Sequence, residues 1–327
     1  MSALADRLER HQVAVYLAAV GVGVLTGLLA PGAHAGFEAL IYPVLGALLY
    51  ATFLQVPFVA LRAAFADRRF LLAALTLNFV VVPPIVFALS RLAPEGPAVE
   101  LGVLMVLLTP CIDYVIVFTR LAGGSERRLL VAAPLLMLVQ MALLPVYLWL
   151  FMGSELAEIV EPGPFVEAFV LLIALPLGLA WATEAWAARS SSGARVKGAV
   201  DLSPVLLMAL TLLVVAASQF PRVRDDIDQV AGVIPLYVAF LVIMAVAGRW
   251  LGRVLRFDAP AARALVFTGA TRNSLVVLPL ALALGAEYAL TAAVIVTQTL
   301  IEVLGMVAYV RVVPLLLPAE RPLVASP

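Results

Sequence analysis

Four side chains with chemistry to offer lie deep inside long apolar stretches: Cys111, Asp113, Arg272 and Glu302. Cys111 and Asp113 follow Thr109-Pro110, which divides one apolar run in two. Pro110 cannot donate a helical hydrogen bond and suits the first position of a new half-helix. Cys111 and Asp113 then occupy a first turn, where the helix dipole favours negative charge on a thiol or carboxylate. Two readings of Cys111 are open: a soft ligand in a substrate site, or a small buried hydrophobe beside a proline kink. Thr271-Arg272-Asn273-Ser274 interrupts a second apolar run in the same way, with Pro279 beyond it. If the two breaks cross, Arg272 approaches Asp113, either as part of a site or as an ion pair that holds the crossing. Glu302 has no basic residue one turn away, and a carboxylate at membrane depth can bind and release protons.

Polar atoms at the two breaks come from Thr109, Asn273 and Ser274. Asn78 opens the segment Asn78-Phe79-Val80-Val81-Val82-Pro83-Pro84. Its amide either faces the same cavity or satisfies a backbone group that the double proline frees. Gln140 and Gln298 are further polar candidates, expected to bond between helices rather than to bind substrate.

These residues need elements to hold them, and composition says which. The chain has 327 residues, 64% hydrophobic and 13% charged. A soluble domain is roughly a quarter charged and under half apolar, so lipid is the expected solvent. A formal net charge of zero gives no field for nucleic acid. A single cysteine excludes an intrachain disulfide and a multi-thiolate metal site within one subunit. No Gly-x-Ser-x-Gly or His-Glu-x-x-His motif is present, and His11 and His34 lie outside the apolar runs. No enzyme, cofactor or metal centre is expected. The first twelve residues are polar and mixed in charge, and the next apolar run ends at Pro31 without a small-residue cleavage site. A short cytoplasmic amphipathic start is expected there.

A bilayer-spanning helix takes about 20 apolar residues. Ten segments qualify: about 13–30, 37–61, 70–92, 99–120, 129–152, 164–188, 200–219, 229–252, 261–285 and 288–316. With the N-terminus in the cytoplasm, inside segments carry fifteen basic residues and outside segments only Arg91, Arg222 and Arg224. That asymmetry obeys the positive-inside rule and puts both termini inside. All basic residues but Lys197 are arginine, a coding bias that suggests a bacterial plasma membrane. Ten spans divide into two fives of opposite orientation, the topology of an inverted repeat. The interrupted fourth and ninth spans then correspond, and 162 residues separate Cys111 from Asn273. The same offset relates Gln140 to Glu302 and Tyr147 to Tyr309. The expected fold is therefore an all-α integral membrane protein with crossing discontinuous helices.

Asn78–Leu89 (NFVVVPPIVFAL), Pro110–Val117 (PCIDYVIV) and Glu302-Val303 resemble the arsenite-efflux family of arsenical-resistance permeases, within the bile acid/sodium symporter superfamily. The resemblance implies a required cysteine in the fourth span, matched by Cys111, and a glutamate in the tenth, matched by Glu302. It also implies a core domain of spans three to five and eight to ten, about 70–152 and 229–316. A panel domain would comprise spans one, two, six and seven, about 13–61 and 164–219. Two departures mark a divergent subgroup. Phe118-Thr119 stands where the family often has Trp-Asn, and Thr271-Arg272-Asn273-Ser274-Leu275 where it usually has Ser-Asn-Asn-Phe-Glu. Sodium-coupled members of the superfamily are similar in carrying Glu and a Gln-Asn pair in the ninth span. Here Arg272 takes the Gln position, and no acid lies between Asp258 and Glu287. A fixed cation repels sodium, so proton coupling through Glu302 or Asp113 is the expectation.

The implied substrate is a small trivalent metalloid oxyacid, arsenite or antimonite, bound by Cys111 and exchanged for protons. Asn78, Asn273, Ser274 and Thr109 would shape the site. The alternative is a sodium-independent organic-anion carrier in which Arg272 binds a carboxylate.

Overall fold

The computed structural model describes residues 3–55, 67–112, 114–153, 167, 170–200, 204–223, 226–284 and 288–318. Every regular element among them is a helix. Helices α1 (Ala3–Leu29) and α2 (His34–Gln55) open the chain. A rod in three parts follows: α3 (Arg68–Thr76), a π turn at Leu77–Val81, and α4 (Val82–Ser90). Two short helices, α5 (Pro97–Leu107) and α6 (Tyr114–Leu121), lead to the long α7 (Glu126–Met152). Next come α8 (Leu175–Ala187), α9 (Ser191–Val200), α10 (Pro204–Val223), α11 (Ile227–Gly232) and α12 (Ile234–Val254). A second short pair, α13 (Ala259–Ala270) and α14 (Ser274–Leu282), precedes α15 (Ala289–Leu316).

Six stretches among the described residues are long and apolar enough to cross a membrane: Ala35–Leu54, Arg68–Ser90, Glu126–Met152, Pro204–Pro221, Ile227–Val254 and Ala289–Leu316. The sequence predicts ten; two of those segments are broken, and the sixth lies partly outside the described residues. The fourth and ninth segments are each two short helices separated by irregular backbone, so neither forms one continuous rod. Of α1 only Ala14–Leu29 is apolar, because the polar start continues into the same helix. Much of the sixth segment's beginning lies outside the described residues, as does the second segment's end. Large apolar side chains such as Leu25, Val80, Trp149, Trp181, Trp250 and Leu315 are exposed on the protein surface. In a chain of this composition they face lipid. The protein is a multi-pass membrane protein.

Helix α10 packs against α1 and α2, and α2 also against α8. Elsewhere α12 packs on α13 and α15, and α15 on α5 and α14. Small residues set the closest approach, as membrane helix pairs require. A Cβ on Gly23 of α1 would sit 2.5 Å from the Leu213 carbonyl and 2.8 Å from Ala216 Cβ of α10. Gly23→Val is therefore expected to cost about 1–3 kcal/mol through forced separation of the two backbones. A lower unfolding temperature of the detergent-solubilised protein would register it, whereas an unchanged one would show that α1 is not held at this contact.

The double proline of the third rod has a visible consequence. In a regular α-helix the Phe79 carbonyl would accept from the N–H of residue 83, but Pro83 has none. The Tyr147 hydroxyl of α7 donates to Phe79 O instead, at 2.6 Å. The Val82 N–H bonds Leu77 O, which closes the π turn. On α15, Tyr309 donates to Leu241 O. Both partners of that bond lie 162 residues beyond the first pair.

Candidate functional site

The two irregular segments meet. Pro110 and Arg272 form an isolated antiparallel bridge. The Cys111 N–H donates to Thr271 O at 3.0 Å, and the Asn273 N–H to Thr109 O at 2.7 Å. Backbone groups freed by the two helix breaks thus satisfy each other, which unwound chain at membrane depth demands. Each threonine bonds back into its own helix: Thr109 Oγ1 to Met105 O at 2.7 Å, Thr271 Oγ1 to Phe267 O at 2.8 Å. The Asn273 side chain accepts from Val276 N at 3.4 Å and caps α14.

Arg272 is fully buried, with 0% of its surface exposed. Its Nη1 donates to Leu107 O, the last residue of α5, at 3.1 Å. Its Nη2 donates to Thr268 O at 2.9 Å and Gly269 O at 2.6 Å in the last turn of α13. The same nitrogen donates to Asn78 Oδ1 at 2.8 Å. The Asn78 amide is oriented in turn by donation to Ala74 O at 3.0 Å and Thr268 Oγ1 at 3.3 Å. The guanidinium carbon lies over one aromatic face, 5.3 Å from the Phe240 ring centroid. No carboxylate among the described residues touches the guanidinium.

Glu302 is buried at the middle of α15 and takes three hydrogen bonds. Tyr114, the first residue of α6, donates to Oε1 at 2.5 Å. Gln298 Nε2 and the Arg272 backbone N–H donate to Oε2, at 2.5 and 2.8 Å. Hydrogen bonds to a charged group are worth about 1.5–3 kcal/mol each, so the three offset part of the cost of taking a carboxylate out of water. The Tyr114 hydroxyl also lies 3.2 Å from Arg272 O, a second acceptor. A hydroxyl donates once and accepts through two lone pairs. Tyr114 can therefore serve Glu302 in either protonation state. As a donor it satisfies the carboxylate; as an acceptor from the acid O–H it turns its own proton to Arg272 O.

One peptide unit joins these parts. The Thr271 C=O that accepts from Cys111 and the Arg272 N–H that donates to Glu302 belong to the same planar amide. A change in the bond to Glu302 that tilts this plane is felt at Cys111.

Cys111, Thr109, Asn78, Arg272, Asn273 and Ser274 are all buried. Direct bonds tie the first five of these to one crossing, and Ser274 is the next residue along the chain. Asp113 lies outside the described residues. The Asn78 amide bonds Ala74 O, Thr268 Oγ1 and the Arg272 guanidinium, and the proline-freed Phe79 carbonyl accepts from Tyr147. Glu302 draws its partners mainly from other elements, Tyr114 of α6 and the Arg272 backbone. Gln298 bonds within its own helix, one turn from Glu302. Gln140 is buried, and neither of its amide atoms has a partner among the described residues. Tyr114 and Phe240 are the participants that sequence reasoning passed over. The only sequence signal for Tyr114 is its place three residues after Cys111, at the start of a half-helix.

Among the described residues no cluster of His, Cys, Asp or Glu could hold a metal ion. Comparison with curated proteins gives no match. The family model of the sodium bile acid symporter family matches residues 42–225, more than half of the chain, including the first of the two broken helices. That extent, together with multi-pass helical architecture, identifies the chain: it belongs to the sodium bile acid symporter family of membrane transporters.

Proposed function

We propose that the protein is a secondary active carrier that exports trivalent metalloid, arsenite or antimonite, from the cytoplasm in exchange for protons. The observation that carries this reading is the position of the only cysteine. Cys111 is buried at the crossing, and the Thr271–Arg272 amide bonds both its backbone and the Glu302 carboxylate. As(OH)3 is small, neutral and thiophilic, and a soft sulfur ligand suits it better than carboxylate or amide. One thiol binds it reversibly, where three would trap it. The likeness of Pro110–Val117 to arsenite-efflux permeases supports the same cargo, and membership of a symporter family supports carriage. Protonation of Glu302 alters the bond to the shared amide and so the setting of Cys111. Asp113, two residues from the thiol, is the second candidate for carrying the proton.

We read the chain as ten spans in two inverted five-helix repeats. The recurrence of bonds at an offset of 162 supports this: Tyr147 to Phe79 O against Tyr309 to Leu241 O, and Thr109 to Met105 O against Thr271 to Phe267 O. The two bonds flanking the bridge also exchange under that offset. A core of about 70–152 and 229–316 rocks against a panel of about 13–61 and 164–219 to expose the crossing to either side in turn. The distribution of arginine supports both ends lying in the cytoplasm, at a bacterial plasma membrane.

The organic-anion alternative needs a guanidinium that can pair with substrate. That of Arg272 is buried, with Nη1 on Leu107 O and Nη2 on Asn78 Oδ1, Thr268 O and Gly269 O, while Nε has no partner among the described residues. Metalloid uptake into everted vesicles, with an imposed pH gradient and with or without sodium, separates the readings. Uptake that follows the pH gradient and ignores sodium is expected. Uptake that demands sodium and ignores pH would overturn the coupling. Carboxylate uptake that needs Arg272, with no metalloid movement, would establish the anion carrier.

A further inference from the structure

Gln140 is buried near the middle of α7, with 1% of its surface exposed, and neither amide atom has a partner among the described residues. A buried polar group left unpaired costs stability, so an amide kept in that state calls for a ligand. One helical turn away in either direction stand Leu136, Met137, Leu143 and Leu144, which offer it no hydrogen bond. Gln140 and Tyr147 lie seven residues apart and so share a face of α7. The Tyr147 hydroxyl reaches Phe79 O of the third rod, and the residue before Phe79, Asn78, bonds Arg272 at the crossing. Helix α7 also packs on α5 and α6, which flank Cys111. The 162-residue offset pairs Gln140 with Glu302. Glu302 takes its bonds from the Arg272 N–H, Tyr114 and Gln298. The counterparts of those three residues are Pro110, Val276 and Leu136. Proline has no N–H, and valine and leucine have no polar side-chain atom. The first repeat thus keeps a polar side chain at the position of Glu302 and none of the three donors that satisfy it.

We infer that the Gln140 amide is a specificity-determining ligand that reads the hydroxyls of a neutral metalloid acid held at Cys111, a role that rests on the cargo proposed above. A primary amide presents an acceptor and a donor side by side. An oxyanion offers only acceptors and a metal cation takes only the oxygen, so either leaves half of the amide unpaired. Hydroxyl groups both donate and accept. Exchange at arsenic forms an S–As bond to Cys111 and breaks one As–O bond. The hydroxyl leaves with the thiol proton as water, and water reverses the step. Two hydroxyls remain on arsenic: one donates to Gln140 Oε1 and the other accepts from Nε2. Methylarsonous acid, CH3As(OH)2, keeps a single hydroxyl after the same exchange and makes only one of the two bonds. Gln140 therefore separates inorganic from methylated trivalent arsenic, a distinction that the thiol alone does not make.

The test compares wild type, Gln140→Leu and Gln140→Met. Full-length protein in detergent is unfolded thermally without metalloid, and everted vesicles are assayed for uptake of arsenite and of methylarsonous acid. Both substitutions keep the approximate side-chain volume and remove the unpaired amide. The variants should therefore unfold at or above the wild-type temperature. KM for arsenite should rise about tenfold through the loss of two hydrogen bonds, with kcat little changed. KM for methylarsonous acid should rise about threefold, so the preference for arsenite should fall by about threefold. Unfolding of both variants well below wild type, or failure of both to fold, would overturn the inference by showing that the protein itself holds the amide. An unchanged KM with an unchanged preference would remove Gln140 from the substrate. A fall in kcat alone would overturn the inference too, by placing the residue in the conformational cycle. Wild-type vesicles that move neither acid would sink the cargo and this site together, whereas wild-type transport with unaltered variants sinks this site alone.

Discussion

Glu302→Gln is expected to abolish pH-driven accumulation of metalloid in everted vesicles while the protein still folds. Three donors converge on the Glu302 oxygens: Tyr114 Oη, Gln298 Nε2 and the Arg272 N–H. Glutamine offers one oxygen and one NH2. Its oxygen can keep the Arg272 N–H and the Gln298 amide. Its NH2 can donate to Tyr114, whose own proton then turns to Arg272 O, 3.2 Å away. That is the pattern of a protonated Glu302, with one N–H of the new amide left over. The variant is thus a permanent mimic of the protonated carrier, at a cost of about 1–3 kcal/mol for that buried donor. Accumulation against a gradient should fall to the level of vesicles without the protein, because no proton can be released from the amide. Glu302→Asp keeps the charge but shortens the reach to Tyr114 and Arg272, and should restore part of the activity. Accumulation by Glu302→Gln equal to wild type, under the same pH gradient, would remove Glu302 from the coupling.

Much of this site is legible in the sequence because it violates the pattern around it. Proline, threonine, arginine and asparagine inside otherwise apolar runs mark Thr109–Cys111 and Thr271–Asn273 as breaks, and the 162-residue spacing pairs them. Lipid leaves few ways to satisfy the backbone groups so freed, which is why a crossing could be expected from the breaks alone. Other parts carry no such mark. The acceptors that hold Arg272 are mainly main-chain carbonyls, which every residue type possesses, so only the geometry of two converging helix ends reveals them. From side chains alone, only an acid such as Asp113 or a substrate offers itself as a partner for the arginine. Tyr114 escaped for the opposite reason, since a tyrosine in an apolar helix is ordinary until its hydroxyl is seen between Glu302 and Arg272 O. The same holds for Tyr147, whose bond to Phe79 O repairs the gap left by Pro83 across a separation of 68 residues.

Cys111→Ser is expected to lower metalloid transport by about tenfold or more, since each ~1.4 kcal/mol of lost ligand binding is a factor of ten. The substitution changes one atom, sulfur to oxygen, at a buried position. The backbone N–H of residue 111 donates to Thr271 O, a bond that the substitution leaves in place. The bridge, the Arg272 contacts and the Glu302 network should therefore persist, and the unfolding temperature should stay near that of wild type. What is lost is the soft ligand: a hydroxyl is a hard oxygen donor with little preference for trivalent arsenic over water. Transport and stability consequently part company in this variant, which distinguishes a ligand from a packing residue. If Cys111 were only a small hydrophobe beside a proline kink, vesicles containing folded Cys111→Ser protein would still accumulate arsenite. Arsenite uptake by Cys111→Ser at the wild-type rate would therefore sink the thiol mechanism, whatever the coupling ion.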